Sequence, residues 1–326
     1  MKEKHNEKSN VSFYYLSNEW LEFIRPNVKE STYCNYKSNI DRHILPVLGH
    51  INIAELSTGD MDRFVRAKLS AGKLHEPGGL SPKSVNQLLS LIRLILNYGK
   101  DYGIQSINNP QIHYAKQITP RIQILTLSEQ RSLVSALQQN LTQSRLGILI
   151  TLYTGLRIGE ICALQWGDID FTENTLSVRR TVMRIQNTDP DSSAKTKLII
   201  DRPKTETSIR TIPVPTFLMK VLKTFSRHSD HYLLTGTTKI QEPRCYYAFY
   251  KRYMKSLHLG QYNFHALRHT FATRCVEQGF DIKSLSEILG HSDVKVTLTR
   301  YVHPTMEMKR EQMERLAQIT PFSSSL

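Results

Sequence analysis

Four short segments in the second half of this 326-residue chain carry side chains suited to phosphate chemistry. Arg157 lies in T-G-L-R-I-G-E (154–160), a Gly-flanked turn between apolar stretches, where an arginine serves either as a surface charge or as an anion clamp. Lys204 lies in P-K-T-E-T-S-I-R-T-I-P-V (203–214), at the tip of an expected hairpin; by itself it reads as a solvated loop lysine. In H-A-L-R-H-T-F-A-T (265–273), a helix puts His265, Arg268 and His269 on one face. Two histidines four residues apart can ligate zinc, but no adjacent glutamate base and no third ligand accompany them, so no metal site is read. His269 reads as a core or capping histidine. In L-G-H-S-D-V-K-V-T-L-T-R-Y (289–301), His291 follows the helix-stopping Gly290 and Tyr301 closes the segment.

Taken together these residues have one chemical purpose. Two arginines can hold both non-bridging oxygens of a phosphodiester, and their charge favours the more anionic pentavalent transition state. A phenol ionises near pKa ~10, so a histidine must accept its proton or cations must lower its pKa. A lysine can protonate the departing 5′ oxygen. Neither a metal nor a cofactor is called for.

The charge balance points to the same polymer. Lys and Arg number 43 against 29 Asp and Glu, a formal charge of +14. Residues 1–110 hold 14 basic and 11 acidic side chains and residues 111–326 hold 29 and 18, so the second part carries most of the excess. Such a surplus suits a polyanionic partner. Several classes drop out. The longest clean apolar run, Leu146 to Tyr153, falls far short of the ~20 residues of a membrane span, and the polar start is no secretory signal, so a cytoplasmic, nucleoid-associated protein is expected. Cys34, Cys162, Cys245 and Cys275 form no C-x-x-C pair and read as reduced thiols. No Walker loop, G-x-G-x-x-G, G-x-S-x-G or H-E-x-x-H occurs.

The elements that must position these residues are mostly helices. Phe13, Leu16, Trp20 and Ile24 mark a first amphipathic helix; a second runs from about Ser31 to Ile44 and ends before Pro46; a third follows Ser57 or Thr58. Ser81 caps a fourth, with Pro82 at its first position and Gly103 as its stop. Ile104–Ile122 lacks periodicity and reads as an extended linker. A helix capped by Thr126 or Ser128 follows, then a buried helix, turn and helix over 145–166. Three β segments are expected, Thr175–Ile185, Leu198–Ile200 and Ile209–Val214, the last two paired as a hairpin; helices resume at Tyr246. The fold class is therefore mainly α with a small antiparallel β-sheet.

The ordered set of motifs resembles the tyrosine recombinases, or phage integrase family, and more closely the integrases of phages and conjugative transposons. The resemblance implies a flexible N-terminus (1–10), a helical, SAM-like core-binding domain (11–105), a linker (106–122), a catalytic domain (123–301) and a tail (302–326) exchanged between protomers. It implies an active site of Arg157, Lys204, His265, Arg268, His291 and Tyr301, with Glu160 in support. Tyr301 would attack the scissile phosphate to give a 3′-phosphotyrosine and a free 5′-hydroxyl. Arg157, Arg268 and His291 would hold the phosphate, Lys204 would act as acid and His265 as proton acceptor. Strand exchange would pass through a Holliday junction on double-stranded DNA in a homo-tetramer, with accessory DNA-bending or directionality proteins as optional partners and no membrane, metal, cofactor or ATP. Lys195 and Lys197 rival Lys204 for the acid role but lack its P-K-T…S-x-R frame. With about ten residues ahead of the first helix, no separate arm-binding domain is expected. The tail, with three basic and three acidic side chains, is neutral, and Met306, Met313, Leu316 and Ala317 form its apolar side, suited to a neighbouring protomer or to its own domain. Two alternatives share the fold: a catalytically inactive DNA-binding regulator, and a topoisomerase IB-like relaxing enzyme.

Overall fold

A computed structural model describes residues 11–104, 107–117, 122–188, 192–201, 209–301 and 306–319. The chain is mostly helical and divides into two compact units, one comprising residues 1–120 and 185–197, the other residues 121–184 and 198–326.

In the first unit, α1 (Phe13–Ile24) starts where the Ser12 hydroxyl accepts the amide of Tyr15, and it buries Phe13, Leu16, Trp20 and Leu21 against α5 (Pro82–Asp101). The inward side of α5 is Val85, Leu88, Leu89, Ile92, Ile95 and Leu96, and Ser81 and Pro82 begin it as the sequence predicts. The second predicted helix does not end before Pro46. Instead α2 (Glu30–Asn39) widens into a π-helical turn over Ile40–Ile44 and continues as α3 (Leu45–Leu48), with Pro46 in its first turn. The wider turn lets the chain absorb a residue that has no amide hydrogen and whose ring would clash with a regular preceding turn. Then α4 (Thr58–Ala71) opens on a reciprocal cap between Ser57 and Asp60.

Part of the segment read as an extended linker is laid along this unit. Asn108 N–H donates to Ile53 O at 3.1 Å, and Gln111 N–H donates to Thr58 Oγ1 at 3.0 Å. Asn86 exchanges two hydrogen bonds with the backbone of Ala115, at 2.9 and 2.8 Å.

The second unit is built on α7 (Gln143–Thr154), buried nearly all round. Thr151 and Thr154 satisfy their hydroxyls on carbonyls one turn back, at 2.8 and 2.7 Å. Packed around it are α6 (Leu127–Gln139), α8 (Ile158–Ala163), α9 (Thr216–Phe225), α10 (Pro243–Ser256) and α11 (His265–Glu277). Next come α12 (Ile282–Leu289), α13 (Val294–Tyr301) and α14 (Met306–Ile319).

The β segments correct the sequence reading. The predicted single strand over 175–185 is two, β2 (Thr175–Val178) and β3 (Thr181–Gln186). The last strand, β5 (Arg210–Pro213), pairs not with β4 (Thr196–Asp201) but with β2, antiparallel, in the order β1 (Ile169–Asp170)–β2–β5; β4 pairs with β3. Register explains the choice: Ile212 lies opposite Leu176, both fully buried, whereas β4 has no fully buried residue and only Leu198 packs partly against the core.

Candidate active site

Two left-handed glycines end the helices that frame the site: Gly155 after α7 (φ 66°) and Gly290 after α12 (φ 64°). Each turn leaves carbonyls at the negative end of a helix pointing into one space, where cations are favoured. Three arginines take them. Arg268, on α11 and 1% exposed, donates through Nη1 to Gly155 O (2.8 Å) and through Nη2 to Leu289 O (2.7 Å). Arg157, the residue before α8, donates to Gly290 O at 3.2 Å and to Glu160 Oε1 at 2.7 Å. Arg210 donates from Nε to Ile288 O (2.5 Å) and from Nη2 to Glu160 Oε2 (2.9 Å).

Glu160 is therefore the buried counter-charge between Arg157 and Arg210. Burial pushes its pKa up, but the charge and hydrogen bonds of Arg210, then the charge and backbone amide of Arg157, outweigh that and leave it at about 2. Burial and the neighbouring Arg157 pull Arg268 down to about 9, so it stays charged at neutral pH. Three guanidinium groups against one carboxylate leave an excess of two positive charges. Arg268 Nε, also buried, finds no partner among the described residues.

The partners of His291 assign its tautomer. Arg268 Nη2 can only donate, so Nε2, at 3.0 Å, accepts; Nδ1 then carries the hydrogen and donates to Thr297 Oγ1 at 2.8 Å. Thr297 is buried and lies one turn before Tyr301 on α13, so this relay joins Arg268 to the helix that bears the phenol. Tyr301 is 6% exposed and packs with Ala272, Cys275, Val276, Leu285 and Leu289. Its oxygen lies 2.7 Å from His269 Nδ1.

The structure thus gathers Arg157, Glu160, Arg268, His291 and Tyr301. His265 sits one turn before His269, the two rings edge to face at 4.5 Å. Lys204 lies outside the described residues. Its rival Lys197 is paired with Glu30 at 2.6 Å, and Lys195 is exposed. His269 is not the core or capping histidine that the sequence suggests: it bonds the tyrosine. The sequence reading also missed Arg210 and Thr297. The S-x-R that frames Lys204 was the available signal for Arg210; Thr297 had none.

The chain matches the phage integrase family over residues 123–308 and the N-terminal SAM-like domain of phage integrases over residues 12–69. A tyrosine recombinase XerC-like protein of Caldanaerobacter subterraneus subsp. tengcongensis is 30% identical over 92% of this chain and 81% of its own length. The integrase of Staphylococcus phage L54a is 25% identical over 98% of each chain. Among solved structures, the Tn1549 transposon integrase in complex with transposon right end DNA superposes with a TM-score of 0.73. It is 26% identical, over 94% of this chain and 100% of that one. The chain belongs to the phage integrase family. It is a tyrosine-type site-specific DNA recombinase.

Proposed function

We propose that this recombinase integrates or excises a mobile DNA element, cutting each strand through a 3′-phosphotyrosine at Tyr301 and exchanging strands through a Holliday junction in a tetramer. The observation that carries this reading is the relay from buried Arg268 through His291 and Thr297 to the helix of Tyr301. It couples the phosphate clamp to the nucleophile within one chain. Arg157 and Arg268 hold the non-bridging oxygens. An excess of two positive charges matches the dianionic pentavalent transition state better than the monoanionic diester, so binding energy goes into lowering the barrier. Arg268 Nε is a further donor for a phosphate oxygen. His291 steadies the clamp, Glu160 and Arg210 fix Arg157, and Lys204 protonates the 5′ oxygen. The family resemblance gives His265 as the acceptor of the phenol proton. The phosphotyrosine bond conserves the energy of the diester, so rejoining needs no nucleotide hydrolysis.

The DNA face of the first unit is the cleft of about 580 Å³ between α2 and α5, lined by Asn35, Asn39, Lys83, Gln87 and Ser90. Amides of this kind read adenine edges in the major groove, with Lys83 on a phosphate. Helix α14 leaves Met306, Met313 and Leu316 exposed, a stripe suited to a neighbouring protomer.

Nicked suicide duplexes tiled across the DNA that flanks the gene test this reading. A covalent adduct that forms on one sequence, and is lost in Tyr301→Phe while binding persists, supports it. Binding without any adduct leaves a regulator. An adduct with plasmid relaxation but no exchange between two plasmids leaves a topoisomerase-like enzyme.

A further inference from the structure

We infer that His269, not His265, takes the proton from Tyr301 as the phenol attacks the phosphate, a role that rests on the recombinase reading above. On α11, His269 and Arg268 are successive residues, so their side chains diverge by about 100°. The divergence splits the labour: Arg268 reaches the carbonyls that end α7 and α12, whereas His269 reaches α13. The separation of 2.7 Å between His269 Nδ1 and the phenolic oxygen is already that of a proton-transfer pair. An imidazole is also the side chain whose basicity suits a transfer near neutral pH. His265 lies behind it, with its ring edge to face against that of His269 at 4.5 Å, where it fixes the orientation of the acceptor.

The step balances. In the starting state the imidazole carries its hydrogen on Nε2, and the phenol donates to Nδ1. As the bond between Tyr301 Oη and phosphorus forms, the phenolic proton passes to Nδ1. The bond from phosphorus to the 5′ oxygen breaks, and that oxygen takes a proton from the acid, Lys204. On rejoining, the incoming 5′-hydroxyl gives its proton to the deprotonated lysine, and the His269 imidazolium returns its own to the departing phenolate. His269 thus acts twice per strand, as base and then as acid.

The test uses the full-length protein and the duplex captured by the suicide assay. His269→Asn keeps an acceptor oxygen near the place of Nδ1 but has no proton affinity. Single-turnover adduct formation should fall about 100-fold or more, the usual size of a general-base contribution, with DNA affinity and thermal midpoint unchanged. A duplex with sulfur in place of the bridging 5′ oxygen has a leaving group that needs no acid. It should restore Lys204→Ala and leave His269→Asn slow. The proposal is overturned if His269→Asn cleaves within about threefold of the parent, if the sulfur substrate restores it, or if His265→Asn alone carries the loss. A nitrogen-15 spectrum of the unmodified protein gives a check that needs no variant: His269 should show its hydrogen on Nε2, and a hydrogen on Nδ1 in the neutral ring overturns the assignment. Adduct formation by Tyr301→Phe would be a different failure, that of the recombinase reading itself.

Discussion

Replacing Glu160 by Gln removes the carboxylate between Arg157 and Arg210 while nearly preserving its shape. The carboxyl falls from its ordinary 4.5 to about 2 on folding, and at 1.36 kcal/mol per pH unit that is a stabilisation of about 3 kcal/mol at neutral pH. Breaking a buried ion pair by removing one partner costs ~3–5 kcal/mol in general, so the two routes agree. The sign follows from the depressed pKa: the contribution is whole above the unfolded value and fades as pH drops toward the folded one. Denaturant unfolding of the parent and of Glu160→Gln should therefore differ by about 3 kcal/mol at pH 7, about 2 at pH 3.5, and almost nothing near pH 2. Other carboxylates titrate in both proteins and cancel from the difference. A gap that stays constant from pH 7 to pH 2, or one below ~1 kcal/mol at pH 7, would refute the account of Glu160 as a charged buried anchor.

Three further outcomes follow from the same geometry. Gly155→Ala puts a Cβ 2.7 Å from Phe271 Cδ1 at φ 66°, and left-handed strain of ~1–2 kcal/mol plus overpacking of ~1–3 should lower the unfolding free energy by about 2–5 kcal/mol; a change under ~0.5 would show that the turn relaxes freely. If each protomer neutralises ~8 phosphates, log affinity against log salt should slope near −7, and a flat response by electrophoretic titration would remove the DNA clamp. Ending the chain after residue 305 should leave single-site binding intact and reduce the tetrameric species on DNA in sedimentation; undiminished tetramers would assign α14 to its own domain.

The sequence revealed what depends on neighbours along the chain and little of what depends on packing. Ser81 with Pro82, Thr126 with Glu129 and Ser57 with Asp60 are local caps, and each begins a helix in the structure where the residues announce it. Arg157, Arg268, His291 and Tyr301 were visible because each sits in a short peptide of distinctive composition. The pairing of β5 was not legible, because strands of four residues carry too little alternation to choose between two partners. Nor was the role of His269 legible. Which way a helical side chain is used depends on what packs against that face, and here that is α13, whose tyrosine lies 32 positions further along. The Pro46 boundary failed for a related reason: a proline forbids one hydrogen-bonding pattern, and the chain had another available.

The arginines of this centre are gripped largely by main-chain oxygens, those of Gly155, Ile288, Leu289 and Gly290. A scan that swaps side chains one at a time is nearly blind to such ligands, since Ile288 and Leu289 present the same oxygen under most replacements. Shortening or lengthening the chain by one residue at the end of α12 would instead displace three of the four grips together. Tolerance of substitution there is thus a poor guide to how much the reaction depends on it.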